Sequence, residues 1–419
     1  MALSAVIDGP LIQSVRPRGL LSFGPETAPL RLGMLNVLIG PNGSGKSNLF
    51  DVFKLLRSVP VDLQDAVRRG GGLASWLWAG DIAGEPSLEV VVKPTSFEIE
   101  HSLVLRCMDS KFGVAVENIK HLPDCVIYRS DLDTGEARVR VLHPDGNADS
   151  DRPPMVPGTG LRWARLDVER AARGPLVARP YPDSKDQSIL QQVHSPLDYP
   201  HLSLISGIYN SLTVYDQWSF GRDAELRRSQ AADARGDRLD EDYRNLALVL
   251  NQIGQFPEAK ESLMSGLREL YENFTDYNVV INSGSVQIYF TEARKQSVPA
   301  TRLSDGTIRY LCLLAMLYNP NAQPIIFIEE PELGLHPDLV VALARHLRAA
   351  SERIQLCVTT HSDILIDALS DTPEAVVVFE NDDGATKMRR LDRADLDKWL
   401  EKYRLGEMWT SGQIGGTRW

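Results

Sequence analysis

A chain of 419 residues, 43% hydrophobic and 24% charged, has the composition of a folded globular protein of one large or two ordinary domains. Its net charge of −11 argues against a chain that holds nucleic acid by bulk electrostatics, since phosphate neutralisation needs a basic excess. No apolar run approaches the ~18–20 residues that cross a bilayer. Met1–Pro10 has no basic segment ahead of an apolar core, so no secretory signal is expected and the cytoplasm is the expected compartment.

From the N-terminus, Leu11 to Ile39 reads as strands leading into a tight turn, the last being the apolar run Leu35-Asn36-Val37-Leu38-Ile39. Ser47 to Arg57 places Leu49, Phe50, Phe53, Leu55 and Leu56 as a helix packed on a sheet would. Ser87 to about Val141 changes to period two, with antiparallel strands expected at 88–92, 97–100, 102–106 and 137–141. Pro-rich stretches at 152–157 and 179–182 mark the expected subdomain boundary. Ile189 to about Phe274 is mainly helical in pattern, with one helix expected over Leu239–Ile253, and no heptad persists long enough for a coiled-coil arm. Strands return at Tyr277–Ile281 and Val286–Thr291, and the last third alternates helix and strand, as a parallel sheet requires. The domains expected from this pass are 1–183, 184–275 and 276–419.

Gly40-Pro41-Asn42-Gly43-Ser44-Gly45-Lys46-Ser47, followed by Asn48, fits G-x-x-x-x-G-K-[ST] between a predicted strand and a predicted helix. In that context Gly43 and Gly45 turn backbone N–H groups inward, and the helix N-terminus favours an anion. Lys46 would reach the β- and γ-phosphates of ATP, and the Ser47 hydroxyl would ligate Mg²⁺. Pro324-Ile325-Ile326-Phe327-Ile328-Glu329-Glu330 is an apolar strand ending in paired acids. Glu329 is the expected metal-side carboxylate and Glu330 the base that orients and activates water. Leu303-Ser304-Asp305-Gly306-Thr307 opens a helix; Ser304 and Gly306 could hold a γ-phosphate there, or Ser304 could be a plain N-cap. Ile354–Thr360 is a further strand ending in His361, a sensor of the γ-phosphate or a structural histidine.

In this order the four motifs resemble the ABC-type ATPases of the SMC, RecF and OLD group, often called AAA-family ATPases. Gly40–Ser47 is similar to their Walker A, Leu303–Thr307 to their signature, Ile325–Glu330 to their Walker B and His361 to their switch histidine. The run Glu329-Glu330-Pro331-Glu332-Leu333-Gly334-Leu335-His336-Pro337 resembles the RecF and OLD side, while about 60–300 matches only loosely. The resemblance implies an α/β P-loop head with an antiparallel β lobe and an inserted helical subdomain. It further implies a homodimer that sandwiches ATP, with Ser304 and Gly306 acting in trans, and a glutamine that ligates metal and water, for which Gln192 in Ser188-Ile189-Leu190-Gln191-Gln192 is the candidate.

Two roles for such a head are weighed: a DNA-engaging ATPase of repair or anti-phage defence, and a regulator of a separately encoded effector, without DNA. A transporter subunit fits poorly, because the interval between Lys46 and Ser304 is long and no membrane segment is expected. Only 58 residues follow His361, so any nuclease is expected on a partner chain. Trp399, Trp409 and Trp419 near the C-terminus read as a packed helix with a frayed end, or as a docking strip for that partner. The basic clusters (Arg16 with Arg18, Arg68 with Arg69, 222–228 and 387–390) read as solvated faces.

Overall fold

A computed structural model of the chain describes residues 9–80, 84–94, 96–123, 125–134, 136–140, 176–179, 187–193, 195–196, 198–221, 224–228, 230–282, 284–293 and 297–416. The Pro-rich stretch at 152–157, most of that at 179–182, and Trp419 lie outside the described residues. Two units are distinguished, one drawing on 7–212, 377–391 and 414–419, the other on 213–376 and 392–413.

The first unit carries the P-loop. Its elements are β1 (Ile12–Arg18), β2 (Leu30–Arg31), β3 (Leu35–Ile39), α1 (Lys46–Ser58), α2 (Leu63–Arg69), α3 (Leu73–Trp76) and β4 (Ser87–Val92). Then come β5 (Ile99–Met108), β6 (Lys111–His121), β7 (Cys125–Asp131), β8 (Glu136–Arg140), β9 (Leu176–Arg179), α4 (Ile189–Gln192) and α5 (Pro200–Asn210). Eight of the strands form one sheet in the order β2-β1-β4-β5-β6-β7-β8-β9. Strict alternation turns Leu88, Val90 and Val92 inward on β4, as a sheet with one covered face demands. The strands expected separately at 97–100 and 102–106 are one strand, because the alternation runs unbroken from Ile99 to Leu105. β6 was not anticipated: its register shifts opposite Val104 and Leu105, so Val114 and Ala115 are both buried and period two is lost.

The second unit carries the acids. It begins with β10 (Leu212–Tyr215), β11 (Gln230–Ala231), α6 (Leu246–Ile253), α7 (Pro257–Leu270), β12 (Phe274–Asn282), β13 (Ser285–Glu292) and β14 (Ser297–Pro299). It continues with α8 (Asp305–Tyr318), β15 (Ile325–Glu329), α9 (Pro337–Ser351), β16 (Gln355–Thr359), α10 (Asp363–Asp367), α11 (Arg393–Leu400) and α12 (Leu405–Thr410). The helix expected from Leu239 starts at Leu246 instead. The Asn245 side chain bonds the carbonyls of Arg235 and Arg238 and accepts from Asp240 N, holding 235–245 as a turn in which Tyr243 has φ 62°. β15 and β16 are parallel, Glu329 lying beside Thr359, with α9 as the crossover. α8 buries every residue from Ile308 to Leu317, which makes it the central helix of this unit.

The chain then returns to the first unit through β17 (Val376–Asp382) and β18 (Ala385–Arg390), neighbours in the order β3-β17-β18. Asp383 and Gly384 have φ 51° and 82°, the two positive angles of a type I′ hairpin turn. α12 sits on α10, where Gly406 N donates to Asp367 Oδ1 at 2.6 Å and Leu405 N to Ser370 Oγ at 3.0 Å. Trp409 is therefore core, 2% exposed, and the docking strip is reduced to Trp399 among the described residues.

Candidate functional site

The P-loop hangs between β3, buried at every residue, and α1. Gly43 and Gly45 take φ 77° and 99°, angles that L side chains adopt at a cost, so the loop turns where the sequence predicts. A Cβ on Gly45 would collide with Thr386 Oγ1 and Ser22 Oγ. Those two hydroxyls bond each other at 2.7 Å, Thr386 Oγ1 donates to Ser44 O at 2.9 Å, and Thr386 N donates to Ser22 O. β18 thus braces the loop from outside, a contact nothing in the motif announces. Lys46 Nζ lies on the loop's own carbonyls, 2.8 Å from Gly40 O and 3.0 Å from Pro41 O. Gly45 is the N-cap of α1 and brings no side-chain cap to the helix start. Ser44 is fully buried and its Oγ has no partner among the described residues.

Gln191 and Gln192 close α4 in the same unit. A buried network fixes the start of that helix: Glu117 accepts from Ser188 Oγ at 2.6 Å and Ile189 N at 2.9 Å, and meets His101 Nε2 at 3.1 Å. Gln191 Oε1 and Gln192 Nε2 are shielded from solvent without a partner among the described residues.

In the second unit, β15 delivers Glu329 and Glu330 at its C-terminal end. Glu330 has φ 43°, a left-handed conformation that is uncommon for a side chain of this kind. Its N–H is held by Thr359 O and Thr359 Oγ1, both at 3.1 Å. Its Oε1 lies 3.5 Å from His361 Nε2, so the paired acids and the histidine that follows β16 do come together. Glu332, two residues on, accepts from Thr360 Oγ1 at 2.6 Å and from His361 N at 3.0 Å, fixing the backbone that presents the imidazole. Burial pushes the Glu332 carboxyl above the usual carboxylate range against the pull of those bonds. The third acid of Glu-Glu-Pro-Glu was the available signal for this role.

Ser304 is the N-cap of α8, accepting from Thr307 N at 3.1 Å and meeting Thr307 Oγ1 at 2.8 Å. It is also exposed, so the capping bond leaves its outer side in solvent. A Cβ on Gly306 would stand 3.1 Å from Gly334 O, so the signature packs tightly on the loop after the acids. Arg227, read within a solvated basic cluster, is instead buried: it donates to Phe220 O at 3.0 Å, to Leu303 O at 2.7 Å and to Asp305. Of the other clusters, half-buried Arg16 and Arg18 pair with Glu89, exposed Arg68 with Asp62 and exposed Lys387 with Asp382, while Arg389 and Arg390 donate to Ile414 O and Arg31 O.

Hard oxygen donors suit Mg²⁺; the Ser47 hydroxyl stands in the first turn of α1 in the first unit, and the Glu329 carboxylate ends β15 in the second. Among the described residues no group of three or more His, Cys, Asp or Glu could hold a metal ion.

A family model described as "AAA domain, putative AbiEii toxin, Type IV TA system" matches residues 35–367. The chain belongs to this AAA family. Membership makes it an ATPase of the AAA type. No curated protein matches the chain by sequence. Among solved structures it is similar to an SMC head bound to the C-winged helix domain of ScpA, at 12% identity and TM-score 0.54, covering 92% of this chain and 99% of that one. It is also similar to the Pyrococcus furiosus SMC head with an extended coiled coil bound to the C-terminal domain of ScpA, at 12% identity and TM-score 0.51, covering 94% and 99%. At such identity the likeness carries the fold alone. This AAA-family chain is an α/β P-loop head of ABC type with an antiparallel β lobe. Among the described residues no helix is long and apolar enough to cross a membrane.

Proposed function

We propose that the chain binds and hydrolyses ATP with Mg²⁺, closes as a homodimer around the nucleotide, and serves DNA repair or anti-phage defence. The observation that carries the reading is Glu330: a left-handed glutamate at a strand end, doubly fixed through its N–H, with its carboxylate 3.5 Å from His361. Such backbone strain, about 1–3 kcal/mol, persists where function needs the geometry. In this reading Lys46 exchanges its two loop carbonyls for phosphate oxygens and neutralises them, while the N–H groups of α1 and the buried Ser44 hydroxyl receive the rest. Ser47 and Glu329 would hold Mg²⁺, with Gln192 contributing from α4, and the ion would offset charge on the phosphates. Glu330 orients water and takes its proton, and His361 beside it registers the γ-phosphate. Ser304 and Gly306 serve the nucleotide of the second copy, and 184–275 acts as a lid.

Glu330→Gln with ATP is expected to trap the dimer, and light scattering that shows only monomer would sink the sandwich. ATP turnover is then measured with and without duplex DNA across a salt series, where a DNA role predicts stimulation that weakens with salt. The family description, with its toxin and toxin–antitoxin wording, favours a second reading: a regulator that holds or activates a separately encoded effector. Turnover indifferent to DNA and salt, with a nuclease or toxin gene adjacent, would select it.

A further inference from the structure

The acidic turn and the signature helix are joined within the second unit by residues that no motif contains. Trp218, in the segment after β10, donates its indole N–H to Glu329 O at 2.6 Å. Arg309, on the first turns of α8, lays its guanidinium 4.6 Å from the Trp218 ring centroid and 5.4 Å from that of Phe220. The same guanidinium donates to Leu333 O. Trp218 is backed by Tyr243, stacked at 5.4 Å and 11°. One cation-on-ring stack therefore holds both ends of the 329–333 turn, with Glu330 between them, and its cation belongs to the helix capped by Ser304.

Burial depresses the Arg309 guanidinium, and a cation only 8% exposed needs a reason to be there. Arg227 anchors the other side of the helix start through Leu303 O and Asp305. A displacement of the signature segment must then move the stack, and the stack is attached at Glu329 and Leu333.

We propose that Trp218 and Arg309 are positioning residues that couple the signature helix to the acidic turn, so that engagement of Ser304 sets the carboxylate of Glu330. The proposal rests on the reading of Glu330 as base and Ser304 as phosphate ligand for its catalytic consequence, and on the stack alone for its mechanical one.

The full chain is compared with Arg309→Met, Arg309→Lys and Trp218→Phe by amide hydrogen exchange over 303–309 and 329–333, with ATP affinity and turnover measured beside it. Arg309→Met is expected to lose protection in both segments together, while 325–328 keeps it. Turnover number should fall roughly ten- to a hundredfold, the cost of a misplaced catalytic group. ATP affinity should stay within about twofold, because the interaction lost is one made in the transition state. Arg309→Lys should behave like Arg309→Met, since an ammonium lacks the planar face that stacks on two rings. Trp218→Phe keeps an aromatic face but no N–H, and is expected to loosen 329–333; it decides the matter should the arginine variants fail to fold. Loosening of only one segment in Arg309→Met, wild-type exchange in Arg309→Lys, or wild-type exchange in Trp218→Phe overturns the coupling. A wild-type chain without ATP turnover would overturn the function proposed above, while the exchange measurements would still decide the clamp.

Discussion

Replacing Glu330 by glycine should cut turnover steeply and leave the fold as stable as before, or more so. Glu330 sits at φ 43°, where a residue with a Cβ carries about 1–3 kcal/mol of strain that glycine does not. Glycine returns about 0.5–1 kcal/mol of that as extra chain entropy in the unfolded state. The two bonds that Glu330 N–H donates, to Thr359 O and Thr359 Oγ1, are backbone-borne on the Glu330 side and survive the change. The contact with His361 is lost, but with side chains 35% and 26% exposed such a pair contributes only about 0–1 kcal/mol. Glu330→Gln keeps the strained backbone and loses the charge, so it is the reference. Glycine should be more stable than glutamine by about 0.5–1.5 kcal/mol in equilibrium urea unfolding. Both variants should lose about 10²–10⁴-fold in turnover if Glu330 is the base. A glycine variant less stable than the glutamine variant by a kilocalorie would refute the strain, and wild-type turnover in the glutamine variant would refute the base.

Three other outcomes follow from the geometry. Gly45→Ala places a Cβ on Thr386 Oγ1 and Ser22 Oγ at φ 99°, and should destabilise by about 1–3 kcal/mol in urea melts; Thr386→Ala in the same chain should recover part of it. Ser304→Ala removes the N-cap of α8 and should cost about 1 kcal/mol, whereas Ser304→Asp restores the cap but sets a carboxylate where phosphate is proposed, so stability should return without turnover. His201, buried and held down to about 3 by burial and by His121, stays neutral in the native state while its unfolded form titrates near 6.5. Its pKa is depressed, so protons bind the unfolded chain first and stability falls as pH drops from about 6.5 towards 3, by about 2 kcal/mol at pH 5. His201→Leu should flatten that slope in urea unfolding at pH 7 and pH 5, and an unchanged slope would assign the loss to other groups.

The parts of the site that were legible in the sequence are those in which chemistry and local structure coincide within a few residues. Eight consecutive residues make the P-loop, and the four apolar residues of β15 run straight into the two acids. The antiparallel lobe was legible wherever one face alternates, as on β4, and illegible at β6, where a bulge puts Val114 and Ala115 on the covered side together. The supports were not legible for a different reason. Trp218 reaches Glu329 across 111 residues and Thr386 reaches Ser44 across 342, and single contacts of that span leave no period and no composition behind.

Arg227 shows how charge statistics fail at such places. A run of arginines and acids averages to a solvated face, yet a guanidinium with acceptors at Phe220 O, Leu303 O and Asp305 is satisfied inside the protein. The same holds for Arg309, whose charge lies between two aromatic rings and a carbonyl at the head of the most buried helix of its unit. Both arginines attach to the signature segment, and Arg309 also reaches the acidic turn. The cost of burying cations there makes sense if the position of Ser304 must be felt at Glu330; a hydrophobic side chain would fill the same space without specifying it.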